Sequence, residues 1–277
     1  MARLSPGREA RRRLIGVAID LRKHARNVTF ALVMESNVQS AAAVDRPSEQ
    51  ARGLTIPAWG FMVGFIVVGT LFHIWLHHTY RGTYNLNQIA IAFFLMVNLL
   101  VNFWEIGLLV CANQIHDEYE ATKDAYRGRE TDRFDEMFRK RIPLLKVFSF
   151  WQWTEVWSSY ALFDPGYASK SSFGFNIDGG NGWSTPIFAT MFAFGMTFDF
   201  ISARVLGIIG VVMFWQMFYG TVIYFFQFFN AGRHKGHSPR TMFLFNGTSN
   251  GLWFIFPLWG MALSIWMILN DSYTLFY

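Results

Sequence analysis

Five long apolar segments constrain this chain more than any other feature of its sequence. Each is close to the ~20 residues that a helix needs to cross the hydrocarbon core of a bilayer. The chain is 52% hydrophobic and 18% aromatic, a combination that is rare in soluble globular proteins. The segments run from about Leu54 to Leu76, Gln88 to Gln114, Pro186 to Ala203, Leu206 to Phe229 and Gly251 to Leu269. They predict an all-α, polytopic membrane protein with a five-helix transmembrane bundle.

The stretch before the first segment has a different character. Residues 1–53 carry ten Lys and Arg against five Asp and Glu. Their later part, LIGVAIDLRKHARNVTFALV, mixes apolar and basic residues at roughly helical spacing. This pattern predicts an amphipathic helix on the membrane surface, and a partly ordered tail is the alternative. We therefore expect two domains, a basic arm over 1–53 and a transmembrane domain over 54–277.

Segment 144–163, LLKVFSFWQWTEVWSSYALF, is long enough to be a sixth span. It contains several polar residues, and its three tryptophans, Trp151, Trp153 and Trp157, suit the headgroup region better than the bilayer centre. We predict an interfacial helix here. Residues 168–185 are rich in Gly, Ser and Asn and predict a loop that leads into the third span.

The basic residues favour the same topology. With five spans and a cytoplasmic N-terminus, ten Lys and Arg precede the first span and eight more follow the second, both on the inner side. Arg81 and Arg204 are the two that fall outside. This distribution follows the positive-inside rule, and a sixth span would reverse it for the later loops. The sequence thus predicts an integral membrane protein with its N-terminus in the cytoplasm.

Three polar side chains lie on one face of the second span. Asn98, Asn102 and Glu105 are spaced i, i+4 and i+7. A carboxylate inside a membrane span costs about 3 kcal/mol or more unless it is protonated, paired or hydrated, so Glu105 is a candidate functional residue. The alternative is that Glu105 bonds a neighbouring helix and stabilises the bundle.

Other polar features favour structural roles. His73, His77 and His78 form a cluster near the end of the first span, but membrane di-iron enzymes use more histidines than the seven in this chain. An interfacial histidine group is therefore favoured over a metal site. Asp199 precedes Arg204 by five residues and predicts a local ion pair. No phosphate-binding glycine loop, zinc spacing or nucleophile elbow occurs, and the basic runs lack interleaved aromatics. We expect no cofactor, no metal and no nucleic acid.

Three short motifs occur in the second half of the chain. Trp157, Tyr160, Ala161, Asp164 and Tyr167 form the pattern W-x2-Y-A-x2-D-x2-Y. The second motif, YGTVIYF, begins at Tyr219 and lies in the predicted fourth span. The third, N-x2-W-x3-P, consists of Asn250, Trp253 and Pro257, and Trp183 with Pro186 marks the start of the third span. In order and spacing these elements resemble those of emopamil-binding proteins, the sterol Δ8–Δ7 isomerases of the EXPERA superfamily.

The resemblance implies a cavity inside a five-helix bundle that holds a sterol or an isoprenoid-like lipid. It implies catalytic carboxyl groups that shift a double bond by acid and base chemistry. Glu105 matches the family's second-span glutamate, and Asp178 is the nearest equivalent of its third-span glutamate. The predicted ligand-binding side chains are Asn98, Asn102, Tyr160, Asp164, Tyr167, Trp183, Tyr219, Asn250 and Trp253.

One position departs from the family pattern. The family's histidine, four residues before the glutamate, is Val101 here. A second hypothesis is therefore a non-catalytic accessory or lipid-binding subunit of a larger membrane complex, which the added basic arm also favours. Membrane lipids and the sterol-like ligand are the expected partners. Homo-oligomer and complex subunit remain open alternatives.

Overall fold

The computed structural model describes residues 53–277, and the predicted basic arm with its amphipathic helix lies almost entirely outside the described residues. Long helices are joined by short helical turns and one antiparallel strand pair. The elements are β1 Thr55–Pro57, α1 Ala58–Arg81, α2 Leu86–Val110, α3 Ala112–Thr122, α4 Glu130–Arg139, β2 Arg141–Pro143, α5 Thr154–Ala161, α6 Phe173–Phe198, α7 Ala203–Asn230, α8 Pro239–Met242 and α9 Thr248–Asn270. Single 3-10 turns occupy Leu144–Lys146, Phe150–Gln152, Pro165–Ala168 and Thr274–Phe276, and a π turn occupies Phe243–Gly247.

Four helices are long and apolar enough to cross a membrane, namely α1, α2, α7 and the Asn250–Asn270 part of α9. Large apolar side chains project outward from them. Val68 is 68% exposed, Trp75 59% and Leu269 76%. Such surfaces are unfavourable in water and are suited to contact with lipid tails. Together the four helices indicate an integral membrane protein.

Helix α6 starts earlier than the sequence predicted. Residues 173–185, expected to be a loop, are helical because the Ser172 hydroxyl accepts a hydrogen bond from the Phe175 backbone N–H at 3.1 Å and caps the helix. Its 26 residues are enough to span a bilayer. Its first half is polar, however, and α6 is not one of the four helices that combine length with apolar composition.

The predicted interfacial helix over 144–163 is divided. Two 3-10 turns precede α5, whose eight residues are too few to cross a bilayer. The Trp153 indole N–H donates to the Val147 carbonyl at 2.8 Å and closes the turn between them. Strand β2 leads into this segment and pairs with β1, with Thr55 opposite Pro143, so the start of α1 is joined to it.

The connection between α6 and α7 also differs from the prediction. It consists of residues 199–202, and Arg204 lies in the first turn of α7. Asp199 ends α6 in a left-handed conformation, with φ of 48°, and its carboxylate pairs with Arg81 of α1. Arg204 pairs with Asp271 at 3.7 Å. The predicted local ion pair is wrong because residues distant in the sequence supply both partners.

Two buried clusters divide the bundle along its length. The first, called here the Trp104 cluster, includes Leu100, Trp104, Trp157, Phe175 and Tyr224. The second, called the Phe214 cluster, includes Phe94, Leu95, Phe192, Met196 and Phe214. Helices α2, α6 and α7 contribute to both clusters. On α2, Asn98 lies between Met96 of the Phe214 cluster and Leu100 of the Trp104 cluster, and Asn102 and Glu105 lie in the part of the helix that belongs to the Trp104 cluster.

Candidate functional site

A cavity of about 370 Å³ lies within the Trp104 cluster. This volume is within the range of ligand pockets, about 300–1,000 Å³. Helices α2, α4, α5, α6, α7 and α9 all contribute to its walls, together with the turn at Tyr167. Its aromatic lining consists of Trp104, Phe134, Phe138, Trp157, Tyr160, Tyr167, Tyr224 and Trp253. Aromatic residues are therefore the largest group in the lining, and carboxyl, amide and hydroxyl side chains lie among them.

Two carboxyl groups line this cavity. Glu105 of α2 is only 6% exposed, and Asp178 comes from the first half of α6. The Tyr167 hydroxyl donates a hydrogen bond to Asp178 Oδ2 at 2.6 Å. Within residues 53–277, no Lys, Arg or His side chain lines the cavity. The two acids thus lie among aromatic rings without a fixed cation beside them.

A chain of side-chain hydrogen bonds leads to Glu105. The Trp253 indole N–H donates to Asn98 Oδ1 at 3.2 Å, and Asn98 Nδ2 donates to Asn102 Oδ1 at 2.8 Å. Asn102 Nδ2 then donates to Glu105 Oε2 at 2.6 Å. Thr185 of α6 also donates from its hydroxyl to Asn102 Oδ1, at 2.9 Å. The polar face of α2 is therefore bonded to both α6 and α9.

The close approach of α6 to α2 depends on a glycine. A Cβ atom at Gly182 would lie 2.8 Å from the Glu105 Cβ and 2.8 Å from the Ile106 backbone nitrogen. Any larger residue would push the two helices apart at Glu105. Gly182 thus allows Asp178 and Thr185 to reach the face of α2 that carries the carboxyl group.

Tyrosines occupy one side of the cavity. The Tyr160 hydroxyl donates to the Tyr224 hydroxyl at 2.9 Å, and Tyr224 donates to Asn246 Oδ1 at 3.3 Å. Burial raises the pKa of the Tyr160 phenol to about 12, so this group stays protonated at neutral pH. Trp157 stacks on Tyr167 with 5.2 Å between ring centroids. All four rings line the cavity, and the faces of aromatic rings are electron-rich.

Six of the predicted site residues line the cavity: Glu105, Asp178, Tyr160, Tyr167, Asn250 and Trp253. Asn98 and Asn102 are buried in the chain of hydrogen bonds beside Glu105. The structure therefore brings together residues from five separate parts of the sequence.

Three predicted residues lie elsewhere. Asp164 is buried below the turn at Pro165–Ala168, where it accepts the Gly166 N–H at 2.9 Å and pairs with Arg233. Trp183 is 63% exposed and Tyr219 is 50% exposed, and neither lines the cavity. Each is adjacent in sequence to a buried glycine, and one residue along a helix turns the side chain by about 100°. Their side chains therefore face away from the cavity.

Sequence reasoning missed several cavity residues. Asn181 lines the cavity and Thr185 bonds Asn102, yet both fall in the segment that was expected to be a loop. Asp178, Asn181 and Thr185 are spaced i, i+3 and i+7, which is the spacing of one helical face. This spacing indicates a shared face only if residues 173–185 form a helix.

Comparison of the chain with family models, with curated proteins and with solved structures gives no significant match.

Proposed function

We propose that the chain is an EXPERA-like membrane protein that binds a sterol or an isoprenoid-like lipid and shifts one of its double bonds. In this proposal α6 is the fifth span, and the N-terminus lies in the cytoplasm. The observation that carries the proposal is the meeting of Glu105 and Asp178, from different helices, at one aromatic-lined cavity. The resemblance in sequence motifs points to the same function.

The lining of the cavity supports a lipid ligand. Aromatic and aliphatic side chains form most of its wall, and the outward faces of the long helices carry exposed apolar residues. A hydrophobic ligand would therefore reach the cavity from the bilayer. Aromatic faces and carboxylates also stabilise positive charge, which develops when an alkene is protonated.

The two carboxyl groups can divide the reaction between them. Glu105 donates a proton to one alkene carbon and leaves a carbocation on its neighbour. Asp178, which accepts a hydrogen bond from Tyr167, removes a proton from an adjacent carbon so that the double bond forms at a new position. One proton enters and one leaves, so the reaction needs no oxidant or reductant.

The test is turnover of a Δ8 sterol in deuterium oxide by the purified protein. We expect one deuterium in each product molecule, at the carbon that was protonated. Glu105→Gln should lower the rate at least about 10²-fold, because general acid catalysis commonly contributes that much. Glu120→Gln, which changes an exposed glutamate of α3, is the matched control and should leave the rate unchanged. Equal rates in the two variants would remove Glu105 from the mechanism.

Val101 favours a second candidate function. It lines the cavity at the position where the related family has a histidine, and it can neither donate nor accept a proton. The chain would then be a lipid-binding subunit of a membrane complex without turnover. Mass spectrometry of the protein purified in mild detergent separates the two functions. A stoichiometric sterol without a second polypeptide supports the isomerase, and a stoichiometric partner with bulk phospholipid supports the subunit.

A further inference from the structure

The direction of the hydrogen bonds beside the cavity follows from a single indole. The Trp253 ring nitrogen can only donate, so the atom that it meets on Asn98 must be the amide oxygen. The Asn98 NH2 group then points to Asn102 and must meet an acceptor, the Asn102 oxygen. This leaves the Asn102 NH2 group to face Glu105.

Thr185 strengthens the same arrangement from another helix. Its hydroxyl lies 2.9 Å from Asn102 Oδ1 and 2.9 Å from the Asn181 carbonyl oxygen, and when it donates to Asn102 this amide oxygen accepts from two donors. An inverted Asn102 amide would place its NH2 group against the Asn98 NH2 group and leave one of them without an acceptor. Buried donors without partners cost about 1–3 kcal/mol. The amide therefore has one favoured orientation.

We propose that Asn102 is a positioning residue that holds the Glu105 carboxyl group so that its acidic proton is carried on Oε1. Oε2 accepts the Asn102 N–H at 2.6 Å and cannot carry a proton in that direction. Oε1 has no hydrogen-bond partner among residues 53–277, and Glu105 lines the cavity. The proton is thereby presented on the oxygen that is free to face a bound molecule.

The catalytic meaning of this orientation rests on the proposed function, but the orientation itself does not. Asn102 lies one residue after Val101, the position of the histidine in the related family. The amide chain thus holds the carboxyl group through side chains that do not titrate. Proton donation from a fixed oxygen is effective because misplacement of a reacting group by about 1 Å can cost about 10² in rate.

The experiment is infrared difference spectroscopy of the purified protein during a pH titration, without any ligand. The C=O stretching band of protonated Glu105 is the one that disappears in Glu105→Gln. We expect this band to move to higher wavenumber in Asn102→Ala, because its carbonyl oxygen Oε2 loses a hydrogen bond. Thr185→Val, which keeps the shape of the side chain, should broaden or divide the band, and Thr185→Ser should restore it.

Asn87→Ala is the matched control. Asn87 lies on the same helix and accepts the Trp259 indole N–H at 3.2 Å, as Asn98 accepts that of Trp253, but its amide donates to the Leu275 carbonyl and not toward Glu105. The Asn87→Ala variant should leave the wavenumber of the Glu105 band unchanged. The proposal is overturned if Asn102→Ala and Thr185→Val both keep the band of the unaltered protein, or if no protonated Glu105 band occurs at any pH at which the protein is folded.

The outcome is independent of turnover. If the protein isomerises no sterol but shows the expected band shifts, the proposed orientation of Glu105 is supported and the proposed isomerase function is not. If turnover is found, Asn102→Ala should lower kcat about 10²-fold with KM nearly unchanged, since Asn102 acts through Glu105.

Discussion

The Trp104 cluster and the Phe214 cluster differ in how fully their buried polar side chains are hydrogen-bonded. Next to the Phe214 cluster, His77 is 1% exposed and both of its ring nitrogens are bonded, Nδ1 with Thr197 Oγ1 at 3.1 Å and Nε2 with the Phe276 carbonyl at 2.7 Å. In the Trp104 cluster, Glu105 has a hydrogen bond to Oε2 alone, and the residue lines a cavity. The first arrangement links three chain segments through a side chain whose ring nitrogens are both bonded. The second keeps a polar atom available to a ligand.

Two glycines of α7 show the same difference in packing. A Cβ atom at Gly207 would lie 2.6 Å from the Ser264 carbonyl oxygen, so α7 and α9 touch there at the backbone. At Gly220, which lines the cavity, the nearest atoms would be 3.8 Å away, on Ile177, and 4.0 Å away, on Asn181. Helix α7 is therefore tightly packed against α9 near Gly207 and loosely packed near Gly220, where it borders the cavity.

The largest expected effect comes from this pair of glycines. Gly207→Ala should cost about 3 kcal/mol because the added methyl group separates two helices that touch at the backbone. Gly220→Ala should stabilise the protein by up to about 1 kcal/mol, the usual gain of alanine over glycine inside a helix. Thermal unfolding in detergent, followed by size-exclusion chromatography, compares the two. Equal midpoints would contradict this difference in packing along α7.

A smaller effect is expected at the end of the Phe214 cluster. Arg81 pairs with Asp199, donates from Nε to the Thr197 carbonyl at 2.8 Å and lies 4.1 Å from the centre of the Tyr277 ring. Arg81→Ala should cost about 2 kcal/mol, because it removes hydrogen bonds of a charged group. The proposed binding of a lipid in the cavity should be unchanged.

Arg204→Ala is the control for that variant. Arg204 pairs with Asp271 at 3.7 Å, and both side chains are more than 40% exposed. A surface pair of this kind contributes less than about 1 kcal/mol. If the two arginine variants unfold at the same temperature, the Arg81 contacts do not hold this end of the bundle together.

The smallest effect is a loss of stability at high pH. Burial, followed by the contact with Asp199, raises the pKa of the Tyr277 phenol above its ordinary value near 10. The folded protein keeps this proton at a pH where the unfolded chain has lost it. The contribution is therefore fully present below pH ~10 and is lost as the pH rises toward the folded pKa.

Tyr277→Phe should flatten this part of the profile of unfolding temperature against pH. Tyr273, whose pKa is raised by burial to about 12, gives a second and separable contribution. A Tyr277→Phe profile that matches the unaltered protein above pH ~10 would show that the phenol is not held as the structure has it.

Much of the helical architecture can be predicted from composition and periodicity. The four candidate spans coincide with four of the five predicted apolar segments, since a run of about 20 apolar residues needs no knowledge of its neighbours. The start of α6 could not be predicted this way. Its first half carries polar side chains that face α2 and the cavity. Because of these residues, the local composition resembles that of a loop.

Part of the candidate site could likewise be predicted from the sequence, and part could not. The i, i+4, i+7 spacing of Asn98, Asn102 and Glu105 requires only one helix, and hydrogen bonds do link these three side chains. Which of Tyr219 and Tyr224 lines the cavity depends on the rotation of α7 against α6 and α9. The structure places Tyr224 inside and Tyr219 outside.

The sequence by itself determined that this chain carries long apolar helices and a carboxyl group on a polar helical face, because both follow from residues close together in the chain. Only the tertiary structure decided that Asp178 and Thr185 meet that face, that Trp183 turns away from the cavity, and that Asp199 pairs with Arg81. The physical reason is that helix rotation and spacing are set by contacts between distant segments, such as the approach at Gly182. No local pattern of residues specifies those contacts.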